Sequence, residues 1–152
     1  MHIVLFQPEI PGNTGTIGRS CYLTHSTLHL IRPLGFQIDD KKALRAGLDY
    51  WPHLDLHVYD SFDDFVAQNN PSILYMCETK TSNLYTDMVY VPNPYIMFGR
   101  ETTGIPDEIL ADHKETAIRI PMIPDSRSLN LSNTVSIVMY EVLRQQGFPG
   151  LI

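Results

Sequence analysis

Short apolar runs bounded by turn formers recur along the whole chain. "HIVLF" (2–6), "LHLI" (28–31), "LHVY" (56–59), "SILYMC" (72–77), "YIMFG" (95–99) and "AIRIP" (117–121) read as buried strands. Helical stretches lie between them. "TGTIGRSCYLTH" (14–25) follows the first strand, and a short helix within "DDKKALRAGLDY" (39–50) ends near Gly47. "SFDDFVAQNN" (61–70) opens with Ser61 followed by Asp64, which resembles a capping box. The segment 79–94 is rich in turn formers and reads as loop. "RETTGIPDEILADH" (100–113) gives a loop and then a helix with Pro106 near its first turn. A long helix runs from about Asn130 to Gln146, closed by Gly147 with Pro149 beyond. In it Leu131, Val135, Val138 and Val142 form one stripe, and Asn133, Ile137, Tyr140 and Arg144 a second.

Strands alternating with helices predict an α/β fold, a mostly parallel sheet covered on both faces. Ligands of such sheets sit beyond the carboxyl ends of the strands. The loops that begin there are 7–18, 78 onward, 99–106 and 121–130. The last is unusual. Ser128, Asn130, Ser132 and Asn133 crowd the start of an apolar helix, where a cap needs one such residue or two. The excess of hydroxyls and amides points to a loop that also holds a ligand.

The chain has 152 residues, 43% hydrophobic and 18% charged, which fits one soluble domain with a substantial core. No apolar run approaches the roughly 20 residues of a membrane span. The opening "MHIVLFQPEIPGN" lacks the basic region and long apolar core of a signal peptide, so the expected location is the cytoplasm. A net charge of -6 argues against a nonspecific, charge-driven nucleic-acid binder. Bases do gather locally, in Lys41, Lys42 and Arg45, which alone read as a solvated face.

Common cofactor motifs fail. Gly12, Gly15 and Gly18 are three apart and match neither the dinucleotide fingerprint nor the phosphate loop. There is no nucleophile elbow. Cys21 and Cys77 form no close-spaced motif, and the His25/His29 and His53/His57 pairs lack the glutamate of a zinc helix, so no metal is expected. What remains is a set of polar loops suited to a ligand held by backbone groups and short side chains.

Three stretches together carry a resemblance: "NTGTIGR" (13–19), "MFGRETTGIP" (97–106) and "IRIPMIPDSRSLNLSNTVSIVMYE" (118–141). They resemble the three motifs of the SPOUT-class RNA 2'-O-ribose methyltransferases. "RPLGFQIDDKKALRAGLDY" (32–50) is similar to a further signature of the tRNA (cytidine(34)-2'-O)-methyltransferase subfamily. The resemblance spans essentially the whole chain and matches minimal members that have no extra RNA-binding domain. It implies a deep trefoil knot in the C-terminal half, S-adenosylmethionine bound inside that knot, and an obligate homodimer with active sites at the interface. The second stripe on the last helix suits such a dimer face. The implied substrate is the wobble nucleotide of a tRNA anticodon loop, cytidine or modified uridine.

Site roles carried over by this resemblance are as follows. Asn13, Arg19, Glu101 and Asn130 belong to the catalytic set, with Arg19 at the reacting ribose. Cys77, Gly99, Ile120 and Ser128 touch the cofactor. Lys41, Lys42, Arg45 and Lys80 are candidates for RNA phosphates. One departure is visible: members often read "GPETRG", whereas this chain has "GRETTG", with Arg100 and Thr103. Singly, each position also has a plain structural role. Cys77 and Ile120 would pass as core, Gly99 as a turn, Asn130 as a helix cap, and Arg19 and Glu101 as a surface pair. A non-catalytic adenosyl- or nucleotide-binding module of the same fold is the alternative that the acidic charge and the departure at 100 favour.

Overall fold

A computed structural model describes residues 1–38 and 49–152. The helix expected within 39–50, with Lys41, Lys42 and Arg45, lies outside the described residues. All six expected strands form. They are β1 (His2–Phe6), β2 (Thr27–Ile31), β3 (Leu56–Tyr59), β4 (Leu74–Cys77), β5 (Tyr95–Phe98) and β6 (Ala117–Ile118). They make one sheet in the order β3-β2-β1-β5-β4-β6, and every pairing is parallel. β6 is shorter than its apolar run. Beyond Ile118 the chain leaves β4, and Arg119 bridges the 83–85 loop through Arg119 N–H to Asn83 O (2.8 Å) and Tyr85 N–H to Arg119 O (2.9 Å).

The helices are α1 (Pro11–Leu23), α2 (Phe62–Asn69), α3 (Asp107–Leu110) and α4 (Leu131–Gln145). Short 3-10 turns occupy Trp51–His53 and Ala111–Thr116. α1 starts at Pro11, earlier than its polar pattern implies, because a proline is pre-organised for the first helical position. Gly12, Gly15 and Gly18 therefore lie inside the helix, where close packing of the buried Gly15 and Gly18 overrides their poor propensity. α2 begins as expected, with Ser61 Oγ accepting from Asp64 N–H at 3.0 Å.

Strand alternation builds two cores. Ile3, Leu5, Leu28, Leu30, Tyr75, Ile96, Phe98 and Ile118 face α1 and α4, which contribute Ile17, Cys21, Val135, Val138 and Val142. Val4, Phe6, Ile31, Tyr59, Met76 and Met97 face the other way, onto Phe65 of α2 and Ile105 before α3. The first stripe of α4 is wholly buried, whereas Ile137 and Tyr140 of the second are 37% and 53% exposed.

The α2 core contains a polar relay. Asn93 Nδ2 lies 3.0 Å from His2 Nε2, His2 Nδ1 lies 2.9 Å from His29 Nε2, and His29 Nδ1 lies 2.9 Å from the Tyr59 hydroxyl. Tyr59 donates onward to Asn69 Oδ1 at 3.4 Å. With the Asn93 amide nitrogen toward His2, both imidazoles are neutral, each accepting at Nε2 and donating at Nδ1. Burial pushes the pKa of His2 down to about 4 and that of His29 to about 3.

Candidate active site

A cavity of about 560 Å³ opens at the carboxyl ends of β5, β4 and β6. Its wall draws on Ile10 and Asn13 at the start of α1, the end of β4 and the loop after it (Cys77 to Lys80), the loop after β5 (Gly99 to Gly104), and the run from Ile120 to the start of α4. Four segments far apart in sequence thus meet at one opening. The size is that of an ordinary small-molecule site.

One hydrogen-bond network ties these loops together. Glu101 carries no local partner in sequence, yet its carboxylate holds the turn that leads into α1. It accepts from Glu9 N–H (2.8 Å), from Ile10 N–H (3.2 Å) and from Asn13 Nδ2 (3.0 Å). In return, the Glu9 carboxylate accepts from Thr102 N–H (2.9 Å) and from the Thr102 hydroxyl. Asn130 closes the third side. Its Nδ2 donates to Asn13 Oδ1 at 2.9 Å, while its Oδ1 accepts from Ser132 N–H (2.9 Å), the Ser132 hydroxyl (2.6 Å) and Asn133 N–H (3.3 Å). The donor directions are fixed by chemistry. A carboxylate only accepts, so Asn13 must turn its amide nitrogen to Glu101 and its oxygen to Asn130. The crowd of polar residues before α4 is thereby explained: Asn130 is both a cap and a tie.

The loop after β5 is a tight turn closed by Arg100 N–H to Gly104 O (3.1 Å) and Gly104 N–H to Arg100 O (3.0 Å). A Cβ on Gly99 would stand 2.1 Å from the Gly104 carbonyl carbon, and Gly104 itself has φ +72°. Both positions need glycine for this turn. Gly99 lines the cavity, but the space a side chain would take belongs to Gly104.

Cys77, Gly99, Ile120 and Ser128 all line the cavity, as do Asn13, Glu101 and Asn130. Phe98, Met122, Leu129 and Leu131 join Ile120 in an apolar floor. Burial, reinforced by the negative charge of Glu78, pushes the Cys77 thiol up to about 12, so it is a neutral contact surface and not a nucleophile. Lys80 sits at the rim, its Nζ 3.0 Å from Asp107 Oδ1 in an exposed ion pair.

Arg19 does not join this cavity within its own chain. It lies on the exposed side of α1. Six residues after Asn13, it is turned about 240° round the helix and displaced about 9 Å along it. The carried-over set therefore splits into three residues that meet and one that faces outward. Sequence reasoning did not single out Glu78, Phe98, Arg100, Leu129 or Leu131 as lining residues. Glu78 and Arg100 could have been found from their place just past the ends of β4 and β5.

The parallel sheet and the cavity at its carboxyl edge are the frame for the comparison with known proteins: residues 1–140 match the model of the SpoU rRNA Methylase family. The chain belongs to that family. A Geobacillus stearothermophilus protein, provisionally named a tRNA (cytidine(34)-2'-O)-methyltransferase, is 52% identical over 99% of this chain and 98% of its own. The tRNA (cytidine(34)-2'-O)-methyltransferase of Escherichia coli K12 is 47% identical over 100% of this chain and 98% of its own. A solved structure described as giving insight into 2'-OH methylation of C/U34 on tRNA superposes with a TM-score of 0.90 at 39% identity, covering 96% and 95% of the two chains.

Proposed function

We propose that this chain transfers a methyl group from S-adenosylmethionine to the ribose 2'-oxygen of the wobble nucleotide, cytidine or modified uridine 34, in tRNA anticodon loops. The observation that carries this is the convergence of Asn13, Glu101 and Asn130, one from each motif, on a single cavity. The named relatives, similar over their full length, supply the reaction class.

The lining fits an adenosyl methyl donor. Phe98, Ile120, Leu129 and Leu131 offer an apolar floor for a base, the Cys77 thiol is neutral, and the Ser128 hydroxyl stands at the edge. The loops that wall it contain no phosphate cradle, consistent with a ligand that has no phosphate. When bound, S-adenosylmethionine supplies an electrophilic methyl carbon and a thioether leaving group.

The chain's own residues do the positioning. The Asn13–Glu101–Asn130 network holds the loops that border the donor in one arrangement, and alignment of this kind can lower a barrier by about 7–11 kcal/mol. A guanidinium remains charged in proteins, so Arg19 acts as an orienting group for a phosphate or a developing alkoxide, and does not abstract the proton. Because Arg19 faces away from its own cavity, a second copy brings it to the site. Tyr22 and Leu23 of α1, with Ile137 and Tyr140 of α4, give an exposed apolar strip on two helices, which supports a homodimer there. The knotted path of the C-terminal half and a cytoplasmic location, where tRNA is met, complete the proposal. Among the described residues, no helix is long and apolar enough to cross a membrane.

The test is incubation with methyl-labelled S-adenosylmethionine and bulk tRNA, then nuclease digestion. Label on the 2'-oxygen of nucleotide 34 is expected. Label elsewhere would overturn the target, and no label at all would overturn the activity.

A further inference from the structure

We propose that Arg100 binds a backbone phosphate of the single-stranded substrate loop at the outer lip of the cavity, a role that rests on the methyl transfer proposed above. Only two cationic side chains are among the described residues that line the cavity, Lys80 and Arg100. Lys80 is engaged with Asp107 at 3.0 Å. Among the described residues, Arg100 has neither an ion pair nor a side-chain hydrogen bond. Its guanidinium lies over the Phe6 ring, 5.9 Å from the centroid. Such stacking covers a face of the group and leaves its N–H edge free for an anion.

Arg100 is also held in place. Its backbone is clamped to Gly104 by the paired hydrogen bonds of the turn, which fixes where the side chain starts. Phe6 belongs to the core on the α2 side of the sheet, whereas Phe98 and Leu131 of the cavity floor belong to the α1/α4 side. The charge therefore stands across the crest of the sheet from the apolar floor. A chain of net charge -6 needs such fixed local cations to hold a polyanion. In the motif pattern this stretch resembles, the arginine falls three residues later, where Thr103 stands here. Both positions line the same cavity, so one guanidinium has been moved from one end of a turn to the other.

The experiment compares the intact wild-type chain with Arg100→Gln in tRNA binding across a salt series, with donor affinity and thermal unfolding measured in parallel. Losing one phosphate contact on a single strand should lower the salt slope by about 0.7. KM for tRNA should rise about tenfold, as for loss of a charged hydrogen bond, with donor affinity unchanged. Adding Thr103→Arg to Arg100→Gln should restore the slope. An unchanged slope with lowered donor affinity would place Arg100 on the donor's carboxylate and overturn the proposal. An unchanged slope with a lowered unfolding temperature would reduce it to packing on Phe6, and also overturn it. If the wild-type chain does not methylate tRNA at all, the methyl-transfer function fails first. Wild-type methylation with an unaltered slope in the variant sinks the Arg100 role alone.

Discussion

Asn130→Asp separates two jobs that one side chain performs. Aspartate keeps the oxygen that caps α4, where Asn130 Oδ1 takes Ser132 N–H and Asn133 N–H. It loses the Nδ2 donor to Asn13 Oδ1. Two oxygens then face each other across a gap that was a 2.9 Å hydrogen bond. Turning the Asn13 amide over does not help, since its oxygen would then face the Glu101 carboxylate, 3.0 Å away in the present geometry. Asn13 is 8% exposed, so water cannot easily repair the loss. An unsatisfied buried acceptor costs about 1–3 kcal/mol. A new negative charge at the start of α4 offsets this by about 0.3–1 kcal/mol. Net destabilisation should be about 1–2 kcal/mol in a urea titration, with the slope unchanged. The strain falls on the two loops that border the site, so kcat/KM for methylation should drop about 10- to 100-fold. Asn130→Ala should lose a further ~1 kcal/mol of stability with the cap. If Asn130→Asp keeps kcat/KM within about twofold while Asn130→Ala abolishes it, the cap alone matters and the argument from the tie to Asn13 is wrong.

Three further outcomes follow from the same geometry. Arg19→Ala should reduce turnover by at least about 10²-fold, as expected for loss of a transition-state contact, while calorimetry finds donor affinity nearly intact; a collapse of donor affinity would show that Arg19 is misassigned. Gly99→Ala drives a Cβ to 2.1 Å from Gly104, so thermal unfolding should reveal a loss of at least about 1–3 kcal/mol together with weakened donor binding, and a variant as stable as wild type would contradict the turn described. Stability should fall as pH drops below 7. His2 and His29 stay neutral in the folded chain down to about 4 and 3, while in the unfolded chain they take up protons near 6.5, so acid favours unfolding across that window. His29→Phe should flatten the pH dependence of a denaturant midpoint, and an unchanged curve would exclude this histidine as a source.

Much of the fold is legible in the chain because each strand is a short apolar run with clear stops. The α4 boundaries follow from Asn130 and Gly147, and the two stripes of that helix separate into buried and exposed faces as their spacing implies. Other features resist local reading. Pro11 marks the start of α1 locally, but the tie that holds the turn before it runs from Ile10 N–H to Glu101, 91 residues on, and no nearby residue announces it. The strand order places β5 between β1 and β4, and nothing in a run such as "YIMFG" specifies its neighbours. For the site, the three motifs point to loops that meet at one cavity, but single residues do not reveal their partners. The outward turn of Arg19 follows only once α1 is known to begin at Pro11.

The most direct test of the central claim is hydrogen–deuterium exchange of the wild-type chain with and without S-adenosylmethionine. Amides in 7–18, 99–106 and 121–134 should be protected together on addition of the donor, with one common concentration dependence. Protection confined to one of these segments, or lying elsewhere in the sheet, would contradict a site assembled from all three.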